Sequence, residues 1–538
     1  MRKPLRNVPG YADGSNIVAL PTPVVLGWLT FLAGATFFAL MVPLGEGFDE
    51  PWHFAYVQHV AQLARPPLGP STHISREIAT FLRDQPVSWE LHRHFPTMQS
   101  YEEYWKDPKQ REEMDRRFAT LRFSNNYTEL PGLASNQYES HQPPLYYYVV
   151  APMFAIVSRF LSFAGVFTAT RMLSVVLASF VVPGSFWLGK MILKDTIAAS
   201  NVAASLVLFP GLYPDVVRVS NDALAVPLAC WALFFLLQYL EKQRLFDLYV
   251  LSLFVVVGLW TKAFFIPILG AIVFCLLYYR HIRATVTVLI SSLLGTPWYL
   301  SNLIHTGSLT GLPETVGTRS SFLSSIDTLR KLNWENLFNV VRRSHIWVGN
   351  WSFLSVREWM YQVIFWMFVL AILGLIRGRI ASRTGVFSLI VCYVIFLAAL
   401  VYYAIQVFQA VGTSVAEGWY LTLFTVVEAV LFTAGLQSLL NRRWYWGIIA
   451  AQVFLLSLLL YTSAFVEMPY YSGITFHRAD GGLVAYHPHA AEFSLMSARL
   501  LRFHPLVPTT LPWLLLSAFG VFCVYSIADL TYKMRNPT

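Results

Sequence analysis

Two adjacent carboxylates, Asp49 and Glu50, stand in the segment Gly47-Phe48-Asp49-Glu50-Pro51-Trp52-His53, directly after the first long apolar run. Pro51 suits the first turn of a helix and places Asp49 near its N-cap. The electropositive end of a helix favours an ionised carboxylate, and an ionised carboxylate held in place is what a general base needs. The competing reading is a capping residue in a solvated acidic turn. Further along, Ser140-His141-Gln142-Pro143-Pro144-Leu145-Tyr146 closes the first long polar segment, so His141 and Gln142 face Asp49 and Glu50 across it. Arg218-Val219-Ser220-Asn221-Asp222 forms a short polar turn between apolar runs, and Lys262 interrupts Trp260-Thr261-Lys262-Ala263 at another. On the less basic side of a membrane, such a lysine calls for an anionic partner: a lipid headgroup, a structural carboxylate or a substrate phosphate. Arg342 and Arg343, ahead of Trp347 and Trp351, add a basic-aromatic group. Outward carboxylates near the first span and outward cations at three later turns fit an anion-bearing lipid substrate with its reactive carbon near Asp49.

The elements that position these groups are membrane helices. The chain has 538 residues, 56% hydrophobic and only 13% charged, with a mean hydropathy of +0.50. Soluble domains carry about 25% charged residues, and a soluble fold of this composition would expose large apolar patches. Disorder is excluded by the same apolar content. An all-α polytopic membrane protein remains. Apolar runs near the ~20 residues needed to cross a bilayer fall at 23–44, 171–191, 197–213, 222–240, 246–261, 264–280, 284–303, 360–376, 385–408, 419–440, 444–465 and 511–532, about twelve transmembrane helices. The first is too long for a signal-peptide core and lacks a small-residue cleavage site, so it reads as a retained span.

A further run, 143–163, decides the topology. Read as a juxtamembrane or re-entrant helix, it sorts the short basic turns onto one side. Those turns hold Arg2, Lys3, Arg6, Lys190, Lys194, Lys242, Arg244, Arg280, Arg283, Arg377, Arg379, Arg383, Arg442, Arg443, Lys533 and Arg535, sixteen of the 39 basic residues. Positive-inside topology makes that side cytoplasmic. The +9 net charge is then orientation rather than a nucleic-acid surface. Tyr146, Tyr147 and Tyr148 suit a headgroup-level aromatic belt. Segments 45–142, 304–359 and 466–510 lie outward as large loops, and within the first, Ser100–Arg122 reads as a solvated structural helix. Two modules follow, 1–303 with the chemistry and 304–538 as a C-terminal transmembrane portion. Glu428 lies inside a span and reads as internally paired. Cys230, Cys275, Cys392 and Cys523 all sit in apolar runs without metal or disulfide spacing.

Phe48-Asp49-Glu50-Pro51-x-His53 after the first span, with His141-Gln142-Pro143-Pro144-Leu145-Tyr146-Tyr147, resembles the GT-C superfamily of membrane glycosyltransferases. The nearer likeness is to the bacterial branch related to protein O-mannosyltransferases and lipid A aminoarabinose transferases. Arg171-Met172-Leu173-Ser174, Ser220-Asn221-Asp222-Ala223-Leu224 and Lys262 also match that branch's recurring positions. Beyond residue 300 the likeness rests on Trp347–Trp359 and Glu417-Gly418-Trp419-Tyr420-Leu421. The resemblance implies a polyprenyl-phosphate-sugar donor and transfer to a hydroxyl of a lipid, glycan or protein at the outer face of a bacterial inner (plasma) membrane. Asp49 then looks like the catalytic carboxylate, and Glu50 or Asp222 supports the acceptor or a metal. Arg218, Lys262 and Arg343 hold the donor phosphate, and His53, His141, Gln142 and Asn221 complete the substrate-binding set. With one base and no nucleophilic carboxylate, inversion at C1 is expected. Family members often carry Arg where this chain has Trp419, and Arg343 is the candidate replacement. A divalent metal is an open question, since His53, His141, Asp49 and Glu50, or His487 and His489, are of ligand type. The alternatives are a lipid or glycan transporter, and an inactive GT-C-like scaffold in envelope assembly.

Overall fold

The computed structural model describes residues 20–69, 71–132, 136–313, 321–378, 382–414, 416–478, 480–504 and 507–535. Arg2, Lys3, Arg6 and Arg379 of the basic turns lie outside them. The described residues are almost entirely helical, with only isolated β-bridges. Every apolar run read from the sequence is helical over most of its length, and 197–213 is broken after Val207. Among the described residues eight helices are long and apolar enough to cross a membrane: Thr22–Met41, Phe163–Leu193, Asp222–Lys242, Glu358–Arg377, Arg383–Val411, Gly418–Leu440, Trp444–Tyr471 and Leu511–Lys533. Four others, Thr196–Val207, Leu245–Leu259, Phe265–Tyr278 and Ile282–Gly295, are shorter.

 At 1.5 Å per residue a 14- or 15-residue helix reaches about 21–22 Å, short of the ~30 Å hydrocarbon core. The twelve runs therefore divide into eight of spanning length and four that stop short. Leu145–Val157, with 13 residues, is shorter still and fits a juxtamembrane helix. The run at 171–191 begins earlier than expected, at Phe163.

Small residues let the helices approach, as packing in lipid requires because apolar burial gives little drive there. A Cβ on Gly435 would stand 2.2 Å from the Ala371 carbonyl oxygen, and one on Gly374 would stand 1.9 Å from that of Gly435. This locks Glu358–Arg377 against Thr425–Leu440. The first helix packs on the last, with the Phe519 ring filling the space beside Gly34.

The polar segment after the first helix folds into short helices capped by serine side chains: Ser75 on Ile78 N–H, Ser88 on Leu91 N–H and Ser100 on Glu103 N–H. The expected Ser100–Arg122 helix is two, Tyr101–Lys106 and Pro108–Thr120, because Pro108 cannot continue the first. Only Met114 of the second is buried, which agrees with a solvated face.

The Glu50–Leu63 helix lies against Leu145–Val157. Tyr56 and Tyr147 stack at 3.6 Å, and the Tyr146 hydroxyl meets Ser174 Oγ at 2.7 Å. Tyr146 and Tyr147 are fully buried and only Tyr148 is exposed, so the expected belt of three tyrosines is corrected to one. The ring pair packs a helix-helix seam, which outweighs any gain from headgroup contact.

Gly435→Ala should lower the thermal unfolding midpoint of the purified protein, at a cost of about 1–3 kcal/mol for overpacking. An unchanged midpoint would mean the two helices do not meet at this glycine.

Candidate functional site

Glu50 is fully buried and accepts five hydrogen bonds. Arg171 donates two, from Nε at 2.7 Å and Nη2 at 2.6 Å. The amides of Gly45, Gly47 and Val219 donate the others, at 3.1, 3.3 and 2.9 Å. Arg171 spends its remaining N–H groups on the carbonyls of Ala39, Val42 and Pro43. Glu50 thus joins the end of the first helix, the following turn, the Phe163–Ser179 helix and the Arg218 turn at one point. Its carboxylate is consumed in holding them.

Asp49 is the N-cap residue of the Glu50–Leu63 helix, in the left-handed region at φ 56°, and its side chain makes no capping hydrogen bond. It is half-buried, and its charge is felt by Arg218 and Tyr420. The backbone position expected from Pro51 is present; the capping role is not.

Around it gathers most of the expected set. Asp222 accepts from Lys262 Nζ on one oxygen, and from Ser220 Oγ at 2.8 Å and Arg218 Nη2 at 3.1 Å on the other. Of the three partners open to Lys262, the structure supplies the carboxylate. Asn221 donates to Gln142 Oε1 and to the Thr261 carbonyl, each at 2.9 Å, tying the three loops together. His141 anchors its loop through its carbonyl, which accepts from Trp298 and Asn302 at 2.9 Å. His53 meets the Tyr147 hydroxyl at 2.7 Å. Burial, then the cations Arg218 and Lys262, hold His53 well below its ordinary pKa, so its ring is neutral.

Arg218 is 6% exposed, yet its Nε and Nη1 have no hydrogen-bond partner. Asp215 stands 3.5 Å from Nη1 as an ion-pair neighbour only. Burial opposes the guanidinium charge, but Asp215, Asp222 and Asp49 outweigh it and raise its pKa. Burial also pushes Asp215 up to about 7. Arg218 borders a small cleft with Gly47, Tyr213 and Asn350. A Cβ on Gly47 would lie 2.8 Å from that of Arg218, so glycine is what admits the arginine.

The C-terminal half closes the far side. Phe48 stacks on Trp419 at 4.0 Å and meets Trp351 edge-on at 5.3 Å, with the Arg218 guanidinium 5.8 Å from the Phe48 ring. The turn 349–354 is pinned by Glu46, which accepts from Ser352 and, at 3.1 and 3.2 Å, from Tyr101 and Tyr471. Burial raises Glu46 to about 7.

Arg343 is placed elsewhere: it pairs with Glu358 at 2.9 Å, beside Arg342 at 2.6 Å. His487 and His489 are exposed. Among the described residues no three His, Cys, Asp or Glu side chains converge as a metal-ligand group. Glu428 bonds His345 at 2.8 Å and Tyr393 at 2.6 Å, an internal pairing as expected. Sequence reasoning missed Arg171, Asp215, Glu46 and Asn350 as site residues. Arg171 and Asp215 carried a signal, a charge inside or beside an apolar run; Asn350 carried none.

No family model and no curated protein matches this chain. Among solved structures, the crystal structure of ArnT from Cupriavidus metallidurans bound to undecaprenyl phosphate aligns with a TM-score of 0.45 at 11% identity. The alignment covers 95% of this chain and 76% of that one.

Glu46 gives a pH prediction. A carboxyl that titrates near 4.5 unfolded and about 7 folded leaves the folded state holding an extra proton between those values. Stability then falls as pH rises through that window, by about 1.4 kcal/mol per unit for one proton. Glu46→Gln removes that slope, so the difference in unfolding midpoint between variant and wild type should change steadily from pH 5 to 7. A difference that is flat with pH would remove Glu46 as a buried acid.

Proposed function

We propose that this protein is an inverting glycosyltransferase that moves a sugar from a polyprenyl-phosphate donor to an acceptor hydroxyl at the outer face of a bacterial inner membrane. The observation that carries this reading is Arg218: a buried guanidinium with two unsatisfied nitrogens beside a cavity, next to the carboxylate of Asp49. Buried N–H groups without acceptors are costly, and a phosphate oxygen is the acceptor that satisfies a guanidinium best. The motif resemblance supplies the class of donor.

In this reading Asp49 accepts the proton of the acceptor hydroxyl as its oxygen attacks C1 of the sugar. The bond from C1 to the phosphate oxygen breaks, and Arg218 stabilises the charge gathered on the departing lipid phosphate. Lys262 acts through Asp222, fixing the carboxylate that orients Arg218. Gln142 and Asn221 hold the loops in register, and neutral His53 offers a hydrogen bond without adding charge. Glu50 positions the site and does not touch the reaction. Arg343, occupied by Glu358 at the edge, is free to serve the donor only by leaving that pair.

The orientation rests on the basic turns. Lys190, Lys194, Lys242, Arg244, Arg280 and Arg283 lie at the opposite helix ends from the Arg218 and Lys262 turns, and the positive-inside rule puts those ends in the cytoplasm. A transporter would place its ionisable groups on broken helices near the bilayer midplane; Arg218, Asp222 and Lys262 sit at helix ends.

Purified protein incubated with labelled polyprenyl-phosphate sugars and envelope extract should transfer label, and Asp49→Asn should lose about 10²–10⁴-fold of that rate. Equal transfer by both proteins refutes the role of Asp49. Arg218→Gln should weaken donor binding about 10–100-fold, the worth of a charge-assisted hydrogen bond; an unchanged donor dissociation constant would remove it from the phosphate site.

A further inference from the structure

A second cationic group lies apart from Arg218. Three arginines surround the Trp105 ring, with guanidinium carbons 5.3 Å (Arg111), 4.6 Å (Arg499) and 5.4 Å (Arg502) from its centroid. Trp105 is fixed in place: its indole N–H donates to the Tyr471 carbonyl at 3.0 Å, and it packs so tightly on Gly473 that a Cβ there would be 2.2 Å away. The three cations are answered by one carboxylate. Asp115 stands 3.4 Å from Arg502 and also accepts from Tyr104. Arg111 and Arg499 use single carbonyls, of Trp105 and Ser472, and neither has a described carboxylate within ion-pair distance. Burial, then the like charge of Arg111, lowers the Arg499 pKa, as expected of cations held together without a counter-ion.

Arg502 also borders a solvent-open cleft walled by apolar side chains that include Leu44, Phe81, Met114, Phe118, Leu500 and Phe503. The other carboxylate there, Asp84, is already engaged by Arg83 and Arg117. Burial holds His504 near a pKa of about 4 and so uncharged. The cavity starts where the Thr22–Met41 helix ends and lies just before the Leu511–Arg535 helix begins. Because those two helices pack together, the cavity opens at the level of the span ends, where a bilayer carries its headgroups.

We infer that this is a lipid site: Arg499, Arg502 and Arg111 take the phosphate of a phosphate-headed lipid, and the aromatic-walled cavity takes the first part of its hydrocarbon chain. Guanidinium groups match phosphate geometry, the cluster sets three cations against one carboxylate, and the apolar cavity adjoins it, so headgroup and chain are both accommodated. The site is independent of the transferase reading. Its cavity shares Val42 and Pro43 with the turn whose carbonyls Arg171 holds, so a bound lipid would rest against the backbone that positions Asp49.

The test is binding of dihexanoyl phosphatidic acid to the full-length protein in a neutral detergent, with dihexanoyl phosphatidylcholine and inorganic phosphate as comparison probes. Saturable binding of phosphatidic acid, at least tenfold tighter than either comparison, is expected. The double substitution Arg499→Gln with Arg502→Gln should weaken it at least tenfold while leaving Arg218 untouched. Leu44→Trp, which fills the cavity without changing charge, should reduce phosphatidic acid to the affinity of inorganic phosphate. If the double variant does not fold, by its unfolding midpoint, Arg111→Gln replaces it with a loss of at least threefold. Equal affinity for the two lipids, inorganic phosphate binding as tightly as phosphatidic acid, or substitutions without effect on binding would each overturn the proposal.

Discussion

Everything at the site is registered by one buried ion pair, Glu50 with Arg171. Taking two charges out of water costs several kcal/mol each, and only complete hydrogen bonding makes that tolerable. Here it is complete, with five donors on the carboxylate and all five arginine N–H groups placed. What the pair provides is position. It brings the end of the first helix, the left-handed turn at Asp49 and the amide of Val219 to one point, and Arg218 is the residue before Val219. A slip of one residue in any of these segments would leave a buried charge unpaired.

From that fixed point the electrostatics follow in order. Arg218 is held by Asp222, Asp222 by Lys262, and the loop of Gln142 by Asn221. Glu50 and Asp222 are each answered by a cation, but the Arg218 guanidinium keeps two nitrogens unspent. The short Leu245–Leu259 and Phe265–Tyr278 helices contribute to this geometry. Because they stop short of spanning length, the Lys262 turn between them reaches a buried carboxylate rather than the surface.

Phe48, Trp419 and Trp351 form the apolar wall opposite these charges. Low-dielectric surroundings strengthen the polar contacts they enclose, and the wall is built from segments more than 300 residues apart in sequence. Trp419, standing where the family resemblance favours a cation, works here as the partner of Phe48. The Arg218 guanidinium stands 5.8 Å from the Phe48 ring of that stack.

Composition and periodicity determined that this chain is a helical membrane protein, and spacing placed Asp49, Arg218, Asp222 and Lys262 in turns at helix ends. Those are local properties, because hydropathy, proline at a first turn and charge in a short turn each act within a few residues. The sequence could not separate Asp49 from its neighbour. Only tertiary contact shows that Glu50 is consumed by Arg171 while Asp49 is not a cap, since the difference depends on donors from residues 45, 47, 171 and 219. In the same way, pairing across space moved Lys262 to Asp222 and Arg343 to Glu358. A charge finds its partner by distance in three dimensions, and that distance is set only when the helices pack.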